Sequence, residues 1–186
     1  MVRALPGRLG VLLALIASLV ACGRPTPESN RTQTVESPRQ EASMSDTEAG
    51  WKRLADGTAT CSELQGRYRD GNGLEGWTTV EFTNARVTVR RTSRGPEETW
   101  DGTLAEVECR HLARSVLDGR LWEVRSQRTT GVPDETRPSI QFGLGGEAGF
   151  TVQVWANEID SLPQFAAVQK VILGITARVS NGKVRF

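Results

Sequence analysis

Between Trp77 and Arg90, apolar and polar residues alternate on both sides of Asn84-Ala85, and this stretch constrains the fold more than any other. The apolar positions are Val80, Phe82, Val87 and Val89. Alternation of period two is typical of strands with one buried face, and a two-residue turn at Asn84-Ala85 would place Phe82 opposite Val87. The stretch therefore predicts an antiparallel hairpin with one face in the core.

A second pair of alternating segments lies nearer the C-terminus. Its apolar positions are Ile140, Phe142 and Leu144, then Phe150, Val152 and Val154. The glycine-rich connection 145–149 has the composition of a phosphate-binding loop, but such a loop joins a strand to a helix. Because this one joins two strands, we expect a hairpin turn.

Two segments show helical spacing instead. Thr103 and Glu106 have the spacing of a capping box before the segment Leu104–Leu117, and Asp118-Gly119 is a stop signal. The stripe expected to face inward is Ala105, Cys109, Leu112 and Val116.

Ser161 and Gln164 suggest a second capping box, with Pro163 in the first turn. The apolar face that follows is Phe165, Val168, Ile172, Ile175 and Val179. Residues 171–179 also alternate with period two, so a strand is the alternative there, but the start signals favour a helix.

The order of these elements predicts the α+β class: an antiparallel sheet of about four to six strands, covered on one face by two helices. We place this single globular domain at residues 51–186. Residues 121–124 are expected to form a short strand or an extended segment, and residues 183–186 an edge strand.

The N-terminus differs in character from the rest of the chain. Arg3 and Arg8 flank the start of an apolar run that ends at Val20, and this run is shorter than the roughly 20 residues that span a bilayer. Its end, Leu19-Val20-Ala21-Cys22, resembles the lipobox of bacterial lipoproteins: an aliphatic residue, a tolerant position, a small residue and cysteine. The alternative is an ordinary cleaved signal with a chance cysteine.

The lipoprotein resemblance implies that residues 1–21 are a signal peptide and that Cys22 carries a diacylglyceryl group and an acylated amine, such as a palmitoylated one. Several acyl chains give a stable membrane anchor. By the enteric sorting rule, Gly23 favours the outer membrane, so we expect an envelope protein anchored there. Residues 22–50, rich in Pro, Ser, Thr and charges, are expected to form a disordered tether.

Cys61 and Cys109 remain after Cys22 is assigned to lipid. An even pair in an oxidising compartment favours a disulfide, and two buried free thiols are the alternative.

Charge and composition argue against several classes of function. Removal of Arg3 and Arg8 leaves 23 − 2 = 21 basic residues against 22 acidic ones, so nothing indicates a nucleic-acid partner. His111 is the only histidine and is expected on a solvent-exposed helix side, so we predict no metal site and no cofactor.

Trp77 and Trp155 alternate to the side opposite the core-facing residues, whereas Trp100 and Trp122 are expected in connections. The polar loop Ser126–Pro138 adds further candidates for partner binding, and the charged residues in and beside it are Arg125, Arg128, Asp134, Glu135 and Arg137. Exposed aromatics and long loops are typical of binding surfaces. The leading hypothesis is a non-catalytic module that binds an envelope protein or glycan. The alternative is that both indoles are covered by the N-terminal segment or a loop.

Two other functions stay open. A small hydrolase would need paired carboxylates, and the acidic candidates are Glu97, Glu98, Asp101, Glu123, Asp134 and Glu135. No motif frames any pair of them, so we assign no catalytic residue and expect no enzyme. The order of turn, strand pair, helix, polar loop, hairpin and helix is similar to the emfourin-type inhibitors of metallopeptidases, which implies a peptidase-binding role.

Overall fold

The computed structural model describes residues 38–74, 76–128, 135–146 and 149–184, with side chains from residue 45 onward. All of them belong to one compact unit, Ser37–Phe186. The predicted signal peptide, the lipidation site at Cys22 and the first part of the predicted tether lie outside the described residues.

Six antiparallel strands form one open sheet in the order β4-β3-β2-β1-β5-β6. The strands are β1 Leu64–Asn72, β2 Gly76–Thr83, β3 Arg86–Thr92, β4 Glu98–Thr103, β5 Ser139–Leu144 and β6 Phe150–Gln153. With helices packed on one face, this confirms the predicted α+β class.

The hairpin between β2 and β3 has the predicted register. Phe82 pairs with Val87 and Val80 pairs with Val89. Asn84 and Ala85 both have positive φ, at 52° and 57°, as a tight two-residue hairpin turn requires.

The centre of the sheet packs aromatic side chains over a glycine. Gly66 on β1 pairs with Phe82 on one side and Phe142 on the other. The two rings meet with centroids 5.9 Å apart. A Cβ atom on Gly66 would lie 2.2 Å from Phe142 Cδ1, so only glycine leaves room for this contact.

Three helices cover the inner face, one more than predicted: α1 Pro38–Asp56, α2 Glu106–Asp118 and α3 Pro163–Val179. α1 packs beside α2, and α2 packs beside α3. Val179 of α3 contacts the inner side of β4 at Gly102, and Gly50 of α1 faces Leu144 of β5. The whole sheet therefore has its core on a single side.

The prediction of a disordered tether up to residue 50 is wrong from residue 38 onward, because α1 begins at Pro38. The helix is anchored by its last turns: Trp51 and Leu54 are buried, and the Trp51 ring lies 5.5 Å from that of Phe142. Composition indicated disorder because apolar residues that identify this helix begin only at Trp51, near its end.

Both predicted capping boxes are wrong. Thr103 stays in β4, and α2 begins after Ala105, whose backbone N–H donates to the Glu108 carboxylate at 3.0 Å. Ala105 is accordingly exposed and not part of the inward stripe. At α3 the residue before the helix is Leu162, and the Ser161 hydroxyl donates instead to the Glu158 carbonyl at 2.7 Å.

The remaining short segments also differ in part. Residues 171–179 are helical, which confirms the preferred alternative. Residues 121–123 form a 3₁₀ helix with Leu121 and Trp122 buried, not a strand. Residues 183 and 184 are not in a strand, and residues 185–186 lie outside the described part of the chain.

Cys61 and Cys109 form a disulfide, as predicted. Cys61 begins the 3₁₀ helix Cys61–Glu63 and Cys109 lies on the buried side of α2, with 6.1 Å between their Cα atoms. The bond ties the segment that joins α1 to β1 onto the helical layer.

Candidate binding surface on the outer sheet face

The face of the sheet opposite the helices, here called the outer face, contains no buried residue among its described positions. Its side chains come from alternate positions in each strand. They are Gln65, Arg67 and Arg69 of β1, Trp77, Thr79, Glu81 and Thr83 of β2, Arg86, Thr88, Arg90 and Thr92 of β3, Thr99, Asp101 and Thr103 of β4, Ser139 and Gln141 of β5, and Thr151 and Gln153 of β6. The outer face is therefore rich in hydroxyl, amide and guanidinium groups.

A cross-strand charge network organises the middle of this face. Glu81 on β2 accepts from Arg67 of β1 at 2.8 Å and from Arg90 of β3 at 2.9 Å. On the next pair of strands, the Thr88 hydroxyl donates to Asp101 at 2.6 Å. Both carboxylates on the outer face thus have protein partners.

Trp77 lies at one end of the outer face and is half-buried. The guanidinium carbon of Arg69 lies 3.8 Å from the centre of the indole ring, which is a cation–π stack. The Trp77 backbone is paired with Thr92, whose hydroxyl lies 3.3 Å from both the Trp77 nitrogen and its carbonyl.

Trp155 forms a similar stack beyond the end of β6. The guanidinium carbon of Arg137 lies 4.3 Å from its ring centre, and that of Arg128 lies 5.6 Å away. The antiparallel ladder continues here, because the Val154 N–H donates to the Pro138 carbonyl and the Ala156 N–H donates to the Thr136 carbonyl, both at 3.1 Å. Arg137 and Trp155 are therefore cross-strand neighbours.

Strand register places the two tryptophans on one row. Trp77 pairs with Gly71 on β1. Extending the β1–β5 register by two residues beyond the Arg69–Ser139 pair places Arg137 next to Gly71, and Trp155 is the cross-strand neighbour of Arg137. Three strand spacings, about 14 Å in all, separate the two tryptophan positions along the backbone. Gly71 has φ +122°, and a Cβ there would lie 2.1 Å from the Gly76 carbonyl oxygen, so no side chain fills the row between Trp77 and Arg137.

Arg128 connects the polar loop to the end of β6. Its Nη1 lies 3.1 Å from each carboxylate oxygen of Glu135 and 2.5 Å from the Asn157 side-chain oxygen. Its carbonyl accepts from the Trp155 indole N–H at 3.4 Å. Three predicted binding residues, Arg128, Glu135 and Arg137, are thus brought together around Trp155.

Glu158 holds this arrangement in place, although no local pattern in the sequence marks it as a site residue. It is only 6% exposed. One carboxylate oxygen accepts from the Gln127 and Arg128 backbone N–H groups at 3.0 and 2.9 Å, and the other accepts from the Ser126 hydroxyl at 2.6 Å and the Trp155 N–H at 3.2 Å. The Ser126 hydrogen bond, supported by the three backbone N–H groups, holds the pKa of Glu158 below its ordinary value.

The other predicted site residues lie elsewhere. Arg125 donates to the carbonyls of Trp122 and Val124 at 2.8 and 2.9 Å. It therefore caps the end of the 3₁₀ helix and does not join the cluster around Trp155. Asp134 lies outside the described residues. Trp100 is in β4, not in a connection, and is partly buried against the core; Trp122 lies in a short 3₁₀ connection and is buried.

Two surface depressions lie near candidate groups. One, of about 450 Å³, opens on the outer face beside Gln65, Arg67, Glu81, Thr83 and Gln141. The other, of about 480 Å³, lies between α2 and α3 and is lined mainly by apolar atoms, with His111 at its border. His111 is exposed, as predicted.

Within the described residues, no group of three or more His, Cys, Asp or Glu side chains has the geometry to hold a metal ion. None of the helices in this part of the chain has the length and apolar character needed to cross a membrane. The sequence matches no protein-family model and shows no significant similarity to any curated protein.

Proposed function

We propose that this protein is a lipid-anchored binding module of the bacterial cell envelope that recognises a protein or glycan through its outer sheet face. The observation that carries the proposal is the row containing Trp77 and Trp155 on a sheet face with no buried residue among its described positions. Large aromatic side chains on an uncovered surface are a common basis for recognition.

A binding role is favoured over a catalytic one because the acidic groups near Trp155 already have partners. Glu135 is bound by Arg128, and Glu158 accepts four hydrogen bonds. Both carboxylates hold the described ends of the polar loop, residues 126–128 and 135, against the end of β6. The groups left exposed on this end of the face, Arg69 and Arg137, have no acid–base function at neutral pH.

The anchoring part of the proposal rests on the resemblance of Leu19–Cys22 to a lipobox. Since α1 begins at Pro38, residues 23–37 separate Cys22 from the folded unit. Even fully extended, these 38 − 22 − 1 = 15 residues reach no more than about 50 Å. The ligand is therefore expected on the membrane or no further from it than this reach plus the diameter of the folded unit.

Fractionation of cells into membrane and soluble parts tests whether the protein is anchored by lipid. The full chain is expected in the membrane fraction, with an N-terminal peptide whose mass includes the acyl groups. Cys22→Ser is expected to appear in the soluble fraction or as uncleaved precursor. An unmodified thiol at the N-terminus of the mature protein would exclude lipid anchoring and leave the surface proposal to be tested separately.

Co-sedimentation tests the surface. Full-length protein in neutral phosphatidylcholine vesicles is mixed with envelope material, either untreated or digested with protease to leave its glycans. We expect Trp77→Ala combined with Trp155→Ala to weaken binding at least about tenfold, since buried aromatic anchors dominate interfaces. Val107→Ala, which removes an exposed apolar side chain from the helical layer (70% exposed), is the matched control. Equal binding by the double variant and the wild type would refute the proposal.

A further inference from the structure

We propose that the ligand of the outer face is an anionic glycan, and that Arg69 and Arg137 together bind its carboxylate, sulfate or phosphate groups. This inference rests on the proposed binding function and adds the chemical class of the ligand and the two side chains that select it.

The charge pattern of the outer face distinguishes these two arginines from their neighbours. Arg67 and Arg90 are both paired with Glu81, and Arg128 is paired with Glu135. Within the described part of the chain, Arg69 and Arg137 are exposed and form no ion pair; each is stacked on an indole. Among the described residues, no carboxylate is therefore paired with either of these two exposed guanidinium groups.

The strand register places these charges next to each other. Arg69 on β1 pairs with Ser139 on β5, and Arg137 precedes Ser139 by two residues on the same face. Diagonal neighbours of this kind have Cα atoms about 7–8 Å apart. With Trp77 behind one guanidinium and Trp155 behind the other, the end of the outer face carries the order Trp–Arg–Arg–Trp.

The contact with an indole determines which hydrogen bonds each guanidinium can donate to a ligand. The guanidinium carbon lies over the ring in both stacks, and neither group is paired with a described carboxylate. Its N–H groups are therefore available for the two parallel hydrogen bonds that a carboxylate, sulfate or phosphate accepts. Each guanidinium covers only part of its half-buried indole, so the ring can still contact a ligand, but a neutral sugar has less surface on which to stack than a bare indole would offer. The arrangement thus favours an anion over an uncharged ligand.

The surrounding side chains favour a glycan over an acidic polypeptide. Thr79 and Ser139 lie directly across from Arg69 on either side, and Gln141 and Gln153 extend the same face. Hydroxyl and amide groups donate and accept hydrogen bonds, as the hydroxyls of sugars require. Peptides that bind sheets characteristically add a strand at an edge, whereas these groups lie on the face.

The test compares the binding of defined polymers to the mature, lipidated protein in phosphatidylcholine vesicles. Dextran sulfate has the dextran backbone with some hydroxyls replaced by sulfate esters, polygalacturonate supplies carboxylates, and polyglutamate supplies an acidic polypeptide. We expect dextran sulfate and polygalacturonate to bind, dextran to bind at least about tenfold more weakly, and binding to fall as salt rises.

Substitutions test whether the two arginines cause the preference for anionic glycans. Arg69→Gln and Arg137→Gln are each expected to weaken anionic glycan binding about tenfold, and Arg69→Lys by less, because lysine keeps the charge but loses the bidentate geometry. Arg114→Gln, an exposed arginine on α2, is the matched control and should bind as wild type. Cooperative thermal unfolding with melting temperatures lowered by no more than about 8 °C, the shift expected from losing one stack, establishes that the variants are folded.

Equal binding of dextran and dextran sulfate, tighter binding of polyglutamate than of both anionic glycans, or no binding of any probe would overturn the inference. In each of these cases the proposed function still stands if envelope binding remains dependent on Trp77 and Trp155. Loss of that dependence would refute the proposed function itself, whatever the charged probes do.

Discussion

The guanidinium carbon of Arg69 lies 3.8 Å from the centre of the Trp77 ring, on an outer face where no described residue is buried. Exposed cation–π contacts are worth about 0.5–1 kcal/mol. We expect Arg69→Ala to lower the free energy of unfolding by about that amount, measured by urea titration. Arg94→Ala, at an exposed position in the connection between β3 and β4, should change stability by less than about 0.5 kcal/mol. Equal effects of the two substitutions would show that the stack contributes nothing.

Gly66 supports a prediction about the core. Because a Cβ there would overlap Phe142 and the Gln141 carbonyl, Gly66→Ala should destabilise the protein by about 1–3 kcal/mol or more. Gly174 in α3 has no atom within 4 Å of its Cβ position, so Gly174→Ala should stabilise by about 0.5–1 kcal/mol. Thermal unfolding of both variants measures the contrast, and a neutral Gly66→Ala would contradict the packing described.

The disulfide between Cys61 and Cys109 closes a loop with a sequence separation of 48. For a loop of that length, the chain-entropy model gives a stabilisation of about 4 kcal/mol. Cys61→Ser combined with Cys109→Ser should therefore lower the unfolding free energy by several kcal/mol, and reductant should then have no further effect. A wild-type protein whose unfolding midpoint is insensitive to reductant would contradict a stabilising role.

Glu158 makes stability depend on pH. Its pKa is depressed in the folded state, so it stabilises the fold fully above the unfolded-state value of about 4.3, and this contribution disappears as the pH falls through the depressed pKa. Glu158→Gln should lower the urea midpoint at neutral pH, because an amide group then replaces an acceptor oxygen. The difference from wild type should shrink in acid.

The control for this pH profile is Glu97→Gln, which removes an exposed carboxylate. It should leave the midpoint nearly unchanged across the same pH range. If the gap between Glu158→Gln and wild type stayed constant down to strongly acidic pH, the carboxylate charge would not be what holds the loop.

Local sequence patterns predicted those strands and helices whose apolar spacing and turn residues lie close together in the chain. The hairpin around Asn84-Ala85 was predictable because alternation and turn chemistry agree, and α3 was predictable from its apolar face. β4 was missed because Trp100 is its only large apolar residue. α1 was missed because its packing is carried by a few residues near its C-terminal end.

The candidate site was predictable only in part for a different reason. Alternation placed Trp77 and Trp155 on the outer face, but the stack of Arg69 on Trp77 depends on pairing between β1 and β2. Glu158 binds backbone groups about 30 positions earlier in the chain, and no local spacing marks that contact. Which arginine contacts which tryptophan is determined by the pairing of distant strands, and residue type alone does not reveal it.

Photo-crosslinking in cells tests most directly whether the outer face is the binding surface. A photoreactive residue in place of Gln153, exposed on the outer face two positions before Trp155, is compared with one in place of Ala177, exposed on α3. We expect a crosslinked species from position 153 that disappears in the Trp77→Ala, Trp155→Ala background, and none from position 177. Crosslinks from position 177 alone, or crosslinks from position 153 that persist in the double variant, would contradict it.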